Sequence, residues 1–393
     1  MRILYLHQFF ITRAGVGGTR SYEFARRFVG RGHAVRMVTA ASGSTEVEGI
    51  EVVGARGGYA DYVSATAASY PKRMLAFARF ALTATLQALR GPRPDVIYAT
   101  SPPLTIALPA VLAAVRHRAP LVFEVRDLWP EAPIQMGALR NPLLRRLARA
   151  LERFAYRRSA RVIALSPGIR EGVVAAGVPP ERVELIPNAA DLELFSPALD
   201  RDAERARLGL GNGFVVSYFG TLGEANDLSQ VVRAAPLLTG VTFVLLGDGK
   251  RRPELESEAR RLGATNVVFM RPTPDKAGVA RLAAASDACL TIFKDVPVLA
   301  TNSPNKLFDT FAAGRPAIVN QPGWMRELVE RNEAGLFVRA GDVDDLAAKV
   351  AWLRDHPEEA ERYGRNARLL AEREFGRDAL AERALAVLEE AAS

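Results

Sequence analysis

A chain of 393 residues exceeds what one hydrophobic core usually serves, so two domains of roughly 150 to 200 residues each are expected. Hydrophobic content of 49% and charged content of 24% exclude a disordered or fibrous chain, and a single cysteine, Cys289 in the apolar run ACLTIF, excludes an intrachain disulfide. No run approaches the ~18 apolar residues of a membrane span, and MRILYLHQFF lacks the sections of a signal peptide, so a cytoplasmic protein is expected.

In chain order, short apolar runs alternate with helical segments. RILYLHQFF, AVRMVTA, DVIYAT, LVFEV, RVIAL and VELIP read as strands of a parallel sheet over residues 1–190. Residues 191–212 are polar, with a proline and two glycines, and read as a linker. The pattern restarts over 213–374 with FVVSYFG, VTFVLLGDG, NVVFM, ACLTIF, PAIVN and GLFVRA, which predicts a second doubly wound domain. A helix over 375–393 ends the chain and is expected to cross back to the first domain.

The net charge of +8 is unevenly placed. Residues 140–158, RNPLLRRLARALERFAYRR, hold seven arginines and one glutamate, while Leu143, Leu144, Leu147, Leu151 and Phe154 recur at helical spacing. This is a basic amphipathic helix, either a solvated surface element or a docking face for an anionic membrane. The segment 70–90 has too many apolar positions for one buried face and is packed on two sides or touches lipid.

Ligands of open parallel sheets bind beyond the carboxyl ends of the strands. The first such loop, FFITRAGVGGTRS, brings Gly15, Gly17 and Gly18 to the start of a helix, either as a phosphate or sugar loop or as a tight turn. A dinucleotide fingerprint would need glycine where Arg20 stands. The histidines His7, His33, His117 and His356 show no metal-ligand spacing, ALSPGIR around Ser166 lacks a hydrolase elbow, and there is no Walker A loop. No metal site, cofactor or nucleic-acid partner is expected. In NSPNKLFDTFAAGRP, Lys306 and Asp309 are three residues apart, which would aim a cation and an anion into one space, as a ligand site or as an ordinary i,i+3 ion pair.

LIPNAADLELFSP, LLGDGKRRPELE, NVVFMRPTP, FDTFAAGRPAIVN and ELVERNEAGLFVRAGDVDDLAAKV together resemble the retaining nucleotide-sugar glycosyltransferases of family 4. The resemblance covers nearly the whole chain. It implies the GT-B fold, an α/β architecture of two Rossmann-like doubly wound domains facing a cleft, with the acceptor side first and the donor side second. ATSPPL and FEVRDLWPE are similar to a subgroup working on polysaccharide precursors, including N-acetyl-fucosamine transferases.

The resemblance implies a nucleotide-sugar donor, a UDP-sugar favoured, and a glycan or polyprenyl-linked acceptor reached from the cytoplasm, at the inner face of the membrane. A soluble acceptor such as an aminocyclitol, or a catalytically idle partner subunit, are the alternatives. Asp309 takes the place of the acidic residue that holds the donor ribose, and Lys306 would face the diphosphate. Thr301 stands where the family carries a further glutamate that contacts the donor sugar, and FGTLGEANDLS lacks the family's phosphate-clamping cations. Lys306, Arg20 and the backbone near Thr221 and Gly223 would then carry the phosphate, with Gly17, Gly18, Arg271 and Asn305 completing the donor set. Arg126 replaces a frequent histidine and is a poor base. Asp127 and Glu131 would orient the acceptor hydroxyl, or Asp127 would cap the next helix. The family reaction is a front-face displacement in which the leaving phosphate helps take the acceptor proton.

Overall fold

A computed structural model describes residues 1–15, 17–60 and 70–393; Val16, inside the first glycine loop, lies outside the described residues. Among the described residues fourteen strands form two sheets. The first holds β1 (Arg2–Leu6), β2 (Ala34–Thr39), β3 (Thr45–Val47), β4 (Ile50–Gly54), β5 (Val96–Ser101), β6 (Leu121–Val125), β7 (Arg161–Ala164) and β8 (Val183–Leu185), in the order β3-β4-β2-β1-β5-β6-β7-β8. All its pairings are parallel except the β3–β4 hairpin. The second holds β9 (Phe214–Phe219), β10 (Val241–Leu246), β11 (Val267–Met270), β12 (Ala288–Thr291), β13 (Ala317–Val319) and β14 (Gly335–Phe337), all parallel, in the order β11-β10-β9-β12-β13-β14.

The apolar runs become strands because helices cover both faces of each sheet: every residue of β5 and of β6 is buried. In each sheet the strand order reverses beside the first strand, between β1 and β5 and between β9 and β12. Those switch points open crevices at the carboxyl ends, where both glycine loops lie.

The polar stretch before β9 is less irregular than its composition suggests. Asp200 caps a helix, Arg201–Leu208, accepting from the N–H groups of Asp202 and Ala203, and Gly209 at φ 67° ends it. Arg205 ties this helix down through the Ala285 carbonyl, at 2.8 Å, and through Asp287. The terminal helix Arg377–Ala392 buries Leu380, Ala384, Leu385 and Leu388 in the core of the first sheet. Its first residue, Arg377, is buried between Asp191, at 2.8 Å, and Glu23, at 3.0 Å, and so pins the crossing point to the first domain and to the start of the linker.

Candidate donor and acceptor site

The loop after β1 runs through Gly15, Gly17 and Gly18 into the helix Arg20–Gly30. Gly17 has φ +137°, a conformation side chains avoid. A Cβ on Gly18 would stand 3.0 Å from Asn305 Nδ2 and 3.2 Å from Arg126 Nη2, so both side-chain ends crowd onto this glycine and would have to give by a few tenths of an ångström for a larger residue. The loop of the first domain thereby meets the start of a second-domain helix.

Arg20 does not reach this space. It is 4% exposed, donates from Nε to Glu124 Oε2 at 3.0 Å, and donates to the carbonyls of Pro187 and Ile186 at 2.5 and 3.0 Å. Glu124 also accepts from the hydroxyls of Tyr98 and Thr100. The expected phosphate ligand is instead the centre of a buried network that fixes the carboxyl ends of β5 and β6. The reason is tertiary: Glu124, 104 positions away, comes opposite it through the sheet.

Arg126 and Asp127 follow β6. Arg126 is half-buried and has no acidic partner among the described residues, yet Tyr5, His7 and Asp127 all feel its charge. Burial raises the Asp127 carboxyl above the usual range, with Arg126 opposing. Asp127 does not cap the following helix, Glu131–Gln135, whose N-cap is Pro130 with no side-chain bond. The Glu131 carboxylate is held by Arg149 at 2.8 Å, on the side of the basic helix. Beside these residues Phe9 and Phe77 pack with Tyr59, Met74 and Trp129 into an aromatic wall. Beneath lies His7, whose Nδ1 contacts Ser21 Oγ at 2.8 Å while buried Nε2 has no partner.

In the second domain, loops after β9 and β10 lie backbone to backbone. A Cβ on Gly247 would stand 1.9 Å from the Gly220 carbonyl oxygen, and one on Gly249 2.5 Å from that of Leu222. The Thr221 carbonyl accepts from Tyr218 Oη at 2.8 Å and Asn226 Nδ2 at 2.9 Å, which holds the turn and leaves the N–H groups of Thr221 and Gly223 without an acceptor among the described residues.

The helix Asn305–Ala312 begins opposite this turn. Lys306 Nζ donates to Tyr218 Oη at 2.8 Å and Asn226 Oδ1 at 3.2 Å, lies over the Tyr218 ring, and reaches within 3.4 Å of a Cβ position on Gly220. The cation missing from the β9 loop is thus delivered to it from the side. Burial lowers the Lys306 pKa to about 7. Asp309, 4% exposed, instead accepts from Lys276 Nζ at 3.0 Å. Its carboxyl is raised by burial, against the pull of Lys276 and Arg377. The two residues therefore do not pair with each other, because Lys276, 33 positions away, claims the carboxylate.

Thr301 lies in the seam between the domains. Its Oγ1 donates to the Val298 carbonyl, its own carbonyl accepts from Ser166 Oγ, and its methyl is 2.9 Å from a Cβ position on Gly168. Asn188 with Ser303, and Gln135 with the Val298 N–H, complete this seam. Arg271 stays apart at the end of the edge strand β11, 81% exposed and 3.9 Å from Asp248 Oδ2. Sequence reasoning missed Tyr218, Asn226 and Lys276, none of which carries a local signal. Among the described residues no group of three or more His, Cys, Asp or Glu side chains is placed to hold a metal.

Residues 16–189 match the model of the glycosyl transferase 4-like domain, and residues 213–356 that of the glycosyl transferases group 1. The chain is 29% identical over 242 residues to the D-inositol 3-phosphate glycosyltransferase of Thermomonospora curvata, covering 56% of this chain and 54% of the relative. It is 25% identical over 232 residues to the alpha-D-kanosaminyltransferase of Streptomyces kanamyceticus, covering 56% and 58%. The chain spans about half the length of the curated relatives it matches. Among solved structures, Anabaena Alr3699/HepE in complex with UDP-glucose superposes with a TM-score of 0.74 at 22% identity, over 99% of this chain and 100% of that one. The sucrose-phosphate synthase of Thermosynechococcus elongatus gives 0.81 at 17% identity, over 99% and 98%. At these identities the likeness is one of fold: two sheets flanking a cleft. Family models claim both halves of the chain in the order of its two sheets, and it belongs to the family-4-like glycosyltransferases of the GT-B class.

Proposed function

We propose that the protein moves a sugar from a UDP-sugar to a hydroxyl of a soluble polyhydroxylated molecule, of the cyclitol or aminocyclitol kind, with retention of configuration and without a metal ion. The observation that carries the donor half is Lys306 held against the Gly220 turn between two glycine loops. Its ammonium and the free N–H groups of Thr221 and Gly223 suit a diphosphate. Gly17 and Gly18 would close on it from the first domain. The solved neighbour that binds UDP-glucose supports the base, and relatives named for inositol 3-phosphate and kanosaminyl transfer support the acceptor class.

In the reaction the bond from the sugar C1 to the diphosphate oxygen breaks and a bond to the acceptor oxygen forms on the same face. The acceptor proton passes to the leaving phosphate. Asp127, unpaired and beside the aromatic wall, would orient the acceptor hydroxyl, while Tyr59 and Trp129 would stack on the C–H face of its ring. Asp309, at 4% exposure, would meet the ribose hydroxyls with the one oxygen that Lys276 does not engage.

A second reading keeps the reaction and takes a lipid-linked glycan precursor as acceptor. It is favoured by exposed leucines among the arginines of the helix Pro142–Arg158. The polysaccharide subgroup rests on ATSPPL and FEVRDLWPE alone.

A thermal-shift panel of nucleotide sugars tests the donor. A ligand at 100 times its dissociation constant adds about 2.7 kcal/mol of stability, a clear rise in Tm. UDP-sugars should give the largest shift, and activity should persist in EDTA. No shift with any nucleotide sugar would reject the donor site. Binding without turnover on a broad acceptor panel would make the protein an idle partner subunit.

A further inference from the structure

We infer that Arg126 is the second cation of the donor-diphosphate site, carried by the first domain and presented across the cleft to the leaving group that Lys306 holds from the other side. The inference rests on the donor reading above and adds a residue from the opposite domain to it. Three observations converge. Arg126 Nη2 and Asn305 Nδ2 approach the same point above Gly18, 3.2 and 3.0 Å from its Cβ position, so the guanidinium lies over the glycine loop and beside the residue that precedes Lys306. No carboxylate forms an ion pair with Arg126 among the described residues, whereas the two arginines of the loop segment itself are engaged, Arg13 by Glu23 and Glu193 and Arg20 by Glu124 and two carbonyls. The turn after β9, FGTLGEANDLS, brings no cation of its own, and Lys294, which reaches it, is paired with Glu224 at 3.3 Å, so Lys306 has no second unpaired cation beside it on that turn among the described residues.

The chemistry needs such a group. When the C1–O bond breaks, the departing diphosphate gains a full negative charge on its bridging oxygen, and a cation aimed there stabilises the transition state more than the bound donor. A guanidinium suits this role because it stays protonated and neither gives nor takes the proton, which travels from acceptor to phosphate. A planar fork also presents several N–H groups at once to phosphate oxygens. Because Arg126 and Lys306 stand on different domains, both grip the donor only when the cleft is closed around it.

Calorimetric titrations of uridine, UMP and UDP into wild type, Arg126→Gln and Arg126→Lys, together with turnover of a UDP-sugar, decide. The Gln variant should fold normally, since no buried partner loses its mate. It should bind UDP roughly tenfold or more weakly, bind uridine within about twofold of wild type, and lose on the order of 100-fold in kcat. The Lys variant should recover part of the UDP affinity and little of the kcat. Unchanged UDP affinity with a raised acceptor KM would assign Arg126 to the acceptor and overturn the inference. Equal losses for all three ligands would make the residue structural and overturn it too. A wild type that binds no UDP would remove the donor reading itself, an outcome visible before any variant is made.

Discussion

In the proposed donor site Lys306 is the cation that matters most, and the burial that lowers its pKa to about 7 predicts a pH signature. A diphosphate favours the charged ammonium, so the free site loses its cation as pH rises through about 7 while the complex keeps it. The dissociation constant for UDP should therefore be flat below that pH and climb above it, by at most tenfold per unit. Titrations between pH 6 and 9 check this, and Lys306→Met should abolish the slope. Asp309 behaves differently, because truncating it strands the Lys276 ammonium in a buried site. Asp309→Ala should cost about 3–5 kcal/mol of stability, and pairing it with Lys276→Met should restore much of that loss in urea melts. Residue types at 305–309 place a cation and an anion on one helix, but their partners were not legible. Local spacing says which side chains share a helix face; it is silent on Lys276, Tyr218 or Glu124, which chain crossings bring in from 33 to 104 positions away.

At the scale of elements, what could be read was what the core writes into the chain. Strands buried on both faces leave continuous apolar runs, which is why β1, β5, β6, β9 and β10 stand out in the sequence. The hairpin β3–β4 escapes because its Glu46, Glu48 and Glu51 face water at the sheet edge and break any apolar run. The helix Arg201–Leu208 escapes because it is polar, although its Asp200 cap and Gly209 stop are plain local signals. The basic helix Pro142–Arg158 was legible from its periodicity, yet one residue on its inner side carries a charge-bearing group. Glu152 is buried with Tyr156 Oη donating to it, and burial lifts its carboxyl to about 7. Between the ordinary glutamate pKa and about 7 the folded state binds the proton that the unfolded chain has released, so stability falls as pH rises through that window. Glu152→Gln should flatten this fall and stabilise the protein at pH 8 by roughly 1–3 kcal/mol, read from urea midpoints at pH 5 and pH 8.

Across the whole molecule, the apolar surface is not scattered. Among the described residues the exposed large apolar side chains are Leu237, Leu369 and nine others, and those nine lie on three helices of the first domain that pack side by side. Leu75, Leu82 and Leu86 stand on Tyr70–Ala88, Leu108, Leu112 and Val115 on Ala107–His117, and Leu143, Leu144 and Leu147 on Pro142–Arg158. No described helix is long and apolar enough to cross a membrane. Arg145, Arg146, Arg149 and Arg153 line a groove beside the last three leucines, and of these only Arg149 has an acidic partner among the described residues. Apolar side chains ringed by uncompensated arginines match an anionic lipid surface, where each basic residue contributes about 1 kcal/mol. Sedimentation with liposomes should show binding that requires anionic lipid, falls with salt, and weakens when Arg145, Arg146 and Arg153 become glutamine. It should weaken again when Leu143 and Leu147 become glutamine, which leaves the charge untouched. Binding of this kind would bring the acceptor side of the cleft to the membrane and move the lipid-linked acceptor ahead of the soluble one. A protein that stays in the supernatant with anionic liposomes at low salt would leave the cyclitol-type acceptor without a rival.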